Sequence, residues 1–297
     1  MVQKKGISGN LGKAAIYAVV ILLGLICLLP MMNILAISFS SSEAAAANAV
    51  GFLPVKFTTA AYEKIIGDGQ FWRSFGISVL RVVLALVLNM VLIVLMAYPL
   101  SKSEREFRGR NIYMGILIFA MLFSGGMIPL YLVIRNLGLI NTVWALVLPG
   151  AVPIFSVIMA MNFFIGIPKS LEEAARIDGA TPVQVLTKVF IPCSKPVLAT
   201  IALFSIVGSW NDFFSGLIYM TRVANYPLQT YIQTLNVRLE DILNAGGSLS
   251  SLVNAMEVSQ QNLNAAKIVV SVIPLLLIYP MLQKYLITGI VMGSVKE

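Results

Sequence analysis

The chain has 297 residues, of which 58% are hydrophobic and 11% charged, and its mean hydropathy is +0.88. Soluble domains carry about 25% charged residues, so lipid rather than water is the solvent this composition fits. The net charge of +8 does not describe a nucleic-acid binder, because Lys and Arg sit beside apolar runs and no soluble segment interleaves them with aromatic residues. The absence of histidine removes the commonest general base, zinc ligand and proton relay. Cys27 and Cys193 cannot form a disulfide framework. No cofactor or metal is expected on this chain.

A bilayer core about 30 Å thick needs roughly 20 apolar residues in a helix. Six stretches meet that length: 14–39, 74–100, 111–134, 142–165, 196–220 and 266–290. The expected fold is an all-α membrane protein of six transmembrane helices forming one domain over residues 1–297. The first stretch has basic flanks like a secretion signal. Its apolar run is about 26 residues long, whereas signal cores have roughly 7–15, so a retained helix is expected. Pro129, Pro149, Pro153 and Pro274 are expected to kink or break their helices.

Lys and Arg set the orientation. With the N-terminus inside, the inner segments hold Lys4, Lys5 and Lys13, then Lys102, Arg105, Arg108 and Arg110. Lys169, Arg176, Lys188 and Lys195 follow, then Lys284 and Lys296. Fewer lie outside: Lys56, Lys64, Arg73, Arg135, Arg222, Arg238 and Lys267. Lys267 and Lys284 are assigned by the side each can reach by snorkelling. Both termini are therefore expected in the cytoplasm. Two long external loops follow, 40–73 and 221–265, the second an exposed polar loop with a helical turn or two. Long loops of this kind tend to carry binding function.

The ATP-binding pattern G-x-x-x-x-G-K-[ST] is absent: the only Gly-Lys pair, Gly12-Lys13, is followed by Ala14. No metal-ligand cluster and no catalytic constellation can be assembled, so the chain is not expected to be an enzyme. Ionisable residues within spans raise a functional question by default. Arg81 reads either as a snorkelling side chain or as part of a substrate path. Asp212, in the outer half of the fifth span among Trp210, Asn211 and Phe213, reads as a pore-wall residue, as a structural acceptor at a helix end, or as a charge partner of Arg81. Asn89 and Asn162 suit packing as well as pore lining.

The stretch 166–195 differs from the rest. Ser170 and Glu173 are spaced as a capping box for a first helix. Gly179 suits the left-handed position after that helix. Thr181 and Gln184 are spaced as a second box, with Pro182 at the first helical position, and Ile191-Pro192 is expected to end the second helix. Two capped helices in one inner loop form a rigid knob, suited to receive force from a separate motor. An interfacial helix pair lying on the bilayer is the other reading.

Glu172, Glu173, Ala174, Ala175, Asp178, Gly179 and Ala180, followed by Ile191-Pro192, resemble the EAA loop of binding-protein-dependent ABC importer permeases. Ser209-Trp210-Asn211-Asp212-Phe213 resembles the W-N-[DE]-F pattern of their carbohydrate members. Phe52-Leu53-Pro54 with Thr58 and Tyr62 is similar to the first external loop of those members. The tail from Thr288-Gly289 to Val295-Lys296-Glu297 is similar to that of the maltose permeases, with Glu297 in place of the last glycine. The likeness covers most of the chain and is nearest the LplC-like oligosaccharide permeases.

The resemblance implies an ABC importer type I permease fold in the bacterial cytoplasmic membrane. It also implies a second homologous permease, an extracytoplasmic solute-binding protein, and two copies of an ATPase that holds ATP and Mg and docks on the EAA loop. The solute would be an oligosaccharide or other carbohydrate moved by alternating access. An ABC permease for another solute class and a secondary transporter are the alternatives. An acidic, uronate-containing oligosaccharide would suit Arg81 and the external basic residues.

Overall fold

A computed structural model describes residues 7–235, 261–281 and 283; side chains are described from Gly12 onward. The described residues contain helices and no strands. Three helices are long and apolar enough to cross a membrane, and up to six spans result if each of three bent helix pairs counts as one.

The elements in chain order begin with α1 (Ile7–Ser38), α2 (Ser42–Ala46), α3 (Ala60–Gly67) and α4 (Gly69–Leu100). The middle of the chain forms α5 (Arg110–Leu122), α6 (Met127–Asn136), α7 (Val143–Val147) and α8 (Ile154–Ile165). The predicted inner loop holds α9 (Lys169–Ile177), α10 (Pro182–Val185) and α11 (Ile191–Cys193). Then come α12 (Lys195–Asn211), α13 (Phe214–Tyr219), α14 over 228–235 and α15 (Gln261–Met281). They fall into two compact units. One runs to Gly69 and resumes over Ile232–Val272; the other runs from Gln70 to Tyr231 and resumes at Ile273.

In the first unit α1 leaves large apolar side chains exposed along most of its length, as at Ile16, Val20, Leu25 and Leu28. A helix apolar all round belongs in lipid or against other helices. Beyond it the chain is tied by side chains. The Ser38 and Tyr62 hydroxyls lie 2.8 Å apart, Asn262 Nδ2 donates to the Ser40 carbonyl at 3.0 Å, and Lys267 pairs with Asp68 at 2.6 Å. Lys267 is thus buried in an ion pair and does not snorkel as predicted. Pairing removes the cost that snorkelling would otherwise avoid.

In the second unit α4 shows its membrane character by inversion. Its buried stripe is Ser74, Ser78, Arg81, Ala85 and Asn89, spaced by three or four residues, while Val83, Val87, Val91 and Leu95 face outward. Polar residues inside and apolar residues outside is the arrangement for lipid solvent. One apolar core joins the far half of α4 (Ile93, Ala97) to α8 (Val157, Ala160, Phe164), to α12 (Ile201) and to Val185, Leu186 and Phe190 of the two-helix segment. That segment is therefore continuous with the spans and does not lie apart on a surface.

The predicted spans differ from the observed helices where backbone groups are lost. The second starts at Gly69, earlier than Ser74. The third breaks at Ser124-Gly125-Gly126, with α5 and α6 bent by 111° and Gly126 at φ +89°. The fourth bends by 47° between Pro149 and Pro153, because each proline lacks an N–H. In the fifth, Asp212 and Phe213 separate α12 from α13, so Asp212 sits at a break and not within a continuous helix.

The predicted loop 221–265 also needs correction. Pro227, Leu228 and Thr230 are fully buried, the Leu228 N–H donates to the Ser78 hydroxyl at 2.8 Å, and α15 begins at Gln261. The rest of that loop, 236–260, and the tail from Thr288 lie outside the described residues.

Candidate functional site

The first candidate is a cavity of about 380 Å³ in the second unit, enclosed by α4, the α7–α8 break and α12. Arg81, Asn89, Ser156, Ser205, Ser209 and Asp212 supply its polar lining. Arg81 is 4% exposed. Its guanidinium pairs with the Asp212 carboxylate, and its Nη1 donates to the Asp212 carbonyl at 2.9 Å. The same carboxylate accepts from the Ser215 N–H at 3.1 Å and from the Ser215 hydroxyl. One carboxylate thus closes the start of α13 and neutralises a buried cation, a use of helix-end donors that favours negative charge. Arg81 does not snorkel: it points inward at the break. Its Nε is buried without a hydrogen-bond partner among the described residues.

Asn89 serves the neighbouring break. Its amide nitrogen faces the carbonyls of Ala151 and Gly150 at 3.0 and 3.1 Å, and its oxygen accepts from the Ser205 hydroxyl at 3.0 Å. Carbonyls freed between the two prolines thereby find a donor. The remaining path candidates stand elsewhere. Trp210 is buried edge-on against Phe75, with ring centres 5.6 Å apart. Asn211 is exposed, and the Phe213 carbonyl accepts from the Thr230 hydroxyl at 2.8 Å. None of these three lines the cavity.

The second candidate is the two-helix segment. Its first turn departs from expectation: α9 starts at Lys169 behind Pro168 and has no side-chain cap, so the Ser170–Glu173 box does not form. The proline preorganises the entry instead. The second box is present: the Thr181 hydroxyl accepts from the Gln184 N–H at 3.3 Å, and the Gln184 side chain accepts from the Thr181 N–H at 2.8 Å. Gly179 turns the chain at φ +81°. The second helix does not stop at Ile191-Pro192. A π-helical turn over Leu186–Phe190 makes room for the proline, the helix reaches Cys193, and α12 leaves at 83°.

Sequence reasoning missed what fastens this segment to α4. Glu172 accepts from Lys102 Nζ at 2.6 Å and from Arg176 at 2.7 Å. The Lys102 ammonium also lies over the rings of Tyr98 and Phe190, at 4.2 and 4.3 Å. A cleft of about 280 Å³ opens beside them, lined also by Glu106 and Glu173. The Ser103 N–H and hydroxyl hold the Glu106 carboxyl below its usual range. Glu172 and Arg176 were legible as an i,i+4 pair, but Lys102 lies 70 positions away. Glu173, by contrast, is exposed and makes no side-chain hydrogen bond among the described residues. Ala174 and Asp178 are exposed beside it, while Ala175 and Ala180 pack on the core. Ile177 and Val183 are 85% and 69% exposed. The outward surface thus presents two exposed carboxylates, Glu173 and Asp178, beside the apolar Ile177 and Val183, on a base fixed by charge and packing.

Residues 83–292 match the family described as the binding-protein-dependent transport system inner membrane component. The chain is 41% identical over 273 residues to Protein LplC of Bacillus subtilis, covering 92% of this chain and 90% of that protein. It is 38% identical to the polygalacturonan/rhamnogalacturonan transport system permease protein YtcP of the same organism, covering 95% and 96%. Among solved structures it resembles a bacterial ABC transporter chain involved in the import of the acidic polysaccharide alginate. The TM-score is 0.82 and the identity 34%, over 94% of this chain and 98% of that one. An inverted, polar-inside helix bundle with broken spans and no ATP-binding motif has its place in that family: the chain is an inner membrane component of binding-protein-dependent transport, an ABC importer permease.

Proposed function

We propose that this permease carries a carbohydrate, most simply an oligosaccharide, across the cytoplasmic membrane by alternating access. It works with a second homologous permease, two copies of an ATPase that hold ATP and Mg, and an extracytoplasmic solute-binding protein. The observation that carries this reading is the build of the 166–195 segment. One face presents Glu173, Ile177 and Val183 outward; the other contributes Val185 and Phe190 to the core shared with α4, α8 and α12. Force applied to the outer face by an ATPase would reach three spans without passing through a flexible link. That is the requirement for rigid-body switching driven from outside the bundle. The inner placement of this segment, and of both termini, follows from the Lys and Arg bias.

The carbohydrate assignment rests on the relatives named for polygalacturonan/rhamnogalacturonan and alginate. Those names favour an acidic oligosaccharide. The Arg81 charge is already met by Asp212, so selection of an acidic sugar would rest on other groups. In the cavity, the hydroxyls of Ser156, Ser205 and Ser209 would meet sugar oxygens. A permease for another solute class is the second reading. A secondary transporter fits less well, because Asp212, its natural coupling residue, is held by Arg81 and Ser215.

The test is Glu173→Ala in the assembled transporter. ATP hydrolysis stimulated by loaded binding protein should fall several-fold, with yield near wild type because Glu173 makes no side-chain hydrogen bond or ion pair among the described residues. Wild-type stimulation and uptake would refute the coupling role.

A further inference from the structure

We propose a binding site for one anionic phospholipid at the membrane-surface end of α4 and α5. A groove of about 290 Å³ lies there, lined by Leu95, Pro99, Phe107, Tyr113, Ile116 and Leu117 with their neighbours, and its walls are almost wholly apolar. It shares no lining residue with the first cavity or with the two-helix cleft. Phe107 stacks on Tyr113, ring centres 5.6 Å apart, and closes the groove toward the 101–109 connection.

At that same end the charge changes. Arg110 Nε donates to the carbonyl of Leu100, a groove residue, at 2.8 Å, which fixes its guanidinium at the rim. Arg105 and Arg108 flank Phe107 on the connection. Both are exposed, and their side chains make no ion pair or hydrogen bond among the described residues. The acidic groups nearby are Glu104, exposed on the same turn, and Glu106, whose carboxylate accepts from the Ser103 N–H and hydroxyl and faces the cleft beside Glu172. Lys102 is engaged by Glu172.

Arginines above an apolar groove reproduce the polarity of one phospholipid: phosphate at the connection, acyl chain along α4 and α5. Planar guanidinium forks match phosphate oxygens, and basic pockets between membrane helices select anionic head groups. A helix of another protein would fill the groove but leave the arginines unanswered.

Native mass spectrometry of the full chain in neutral detergent, titrated with dioleoylphosphatidylglycerol or dioleoylphosphatidylcholine, tests the site. The wild type should retain the anionic lipid several-fold better. The double variant Arg105→Gln with Arg108→Gln touches no internal partner, so its fold is spared; it should lose that preference. Ile116→Trp, which fills the groove, should reduce retention with the arginines intact. Equal retention of both lipids by the wild type, or an undiminished preference in the double variant, would overturn the proposal. So would loss of the bound lipid on assembly with the partner permease, which would make the groove a contact between subunits.

Discussion

A guanidinium inside an apolar helix is costly unless paired, and Arg81 is paired at both ends of one residue: the carboxylate and the carbonyl of Asp212. Removing one partner of a buried pair costs about 3–5 kcal/mol. The lower end suits this site, since the Asp212 side chain is 29% exposed. Asp212→Asn should therefore reduce the yield and melting temperature of the complex, because it also strands Arg81. Adding Arg81→Gln should recover most of that loss, because the amide oxygen at position 212 still accepts from the Ser215 N–H that opens α13. Circular dichroism melting of the purified variants checks this, and a single variant as stable as the wild type would show the pair to be dispensable. The sequence marked both residues as worth explaining, because ionisable groups inside spans are rare. It could not choose among their roles, because their separation of 131 positions leaves no local signal. Trp210, a helical neighbour of Asp212, need not share its face: it packs on Phe75 and does not line the cavity.

Helix lengths were legible from apolar runs, and their interruptions only in part. Pro149 and Pro153 announced the bend in the fourth span, as proline chemistry requires. The break at Asp212 carries no proline or glycine, and the sequence offered a helix end there only as one of several readings. Its companion, the return of Pro227–Thr230 against α13, was invisible. That return makes Gly216 indispensable: a Cβ there would lie 2.0 Å from Thr230 Oγ1, 2.9 Å from Thr230 Cβ and 3.0 Å from Pro227 Cδ. Gly216→Ala should cost about 1–3 kcal/mol or more, as overpacking does, visible as a lower melting temperature. Thr230→Ala should relieve it only in part, because Pro227 stays. An unshifted melting temperature for Gly216→Ala would mean that this packing is wrong. In the two-helix segment, the Thr181–Gln184 box was readable because both partners lie within one turn. The Ser170–Glu173 box had the same spacing and failed, since Pro168 moved the start of α9 to Lys169.

At the scale of the whole chain, hydropathy and the inner-loop motif led to the membrane permease family, and the comparisons place the chain there. The proposed ATP-driven cycle needs a separate ATPase, because the sequence holds no G-x-x-x-x-G-K-[ST] motif. Transport by this chain should therefore depend on its partners. The most direct measurement is ATP-driven accumulation of labelled oligogalacturonide in proteoliposomes containing this chain, its partner permease and the ATPase, with the solute-binding protein added outside. Uptake should require ATP and all four components, and should fall several-fold when Glu173→Ala replaces the wild type. Accumulation without the ATPase, driven by an ion gradient alone, would contradict it.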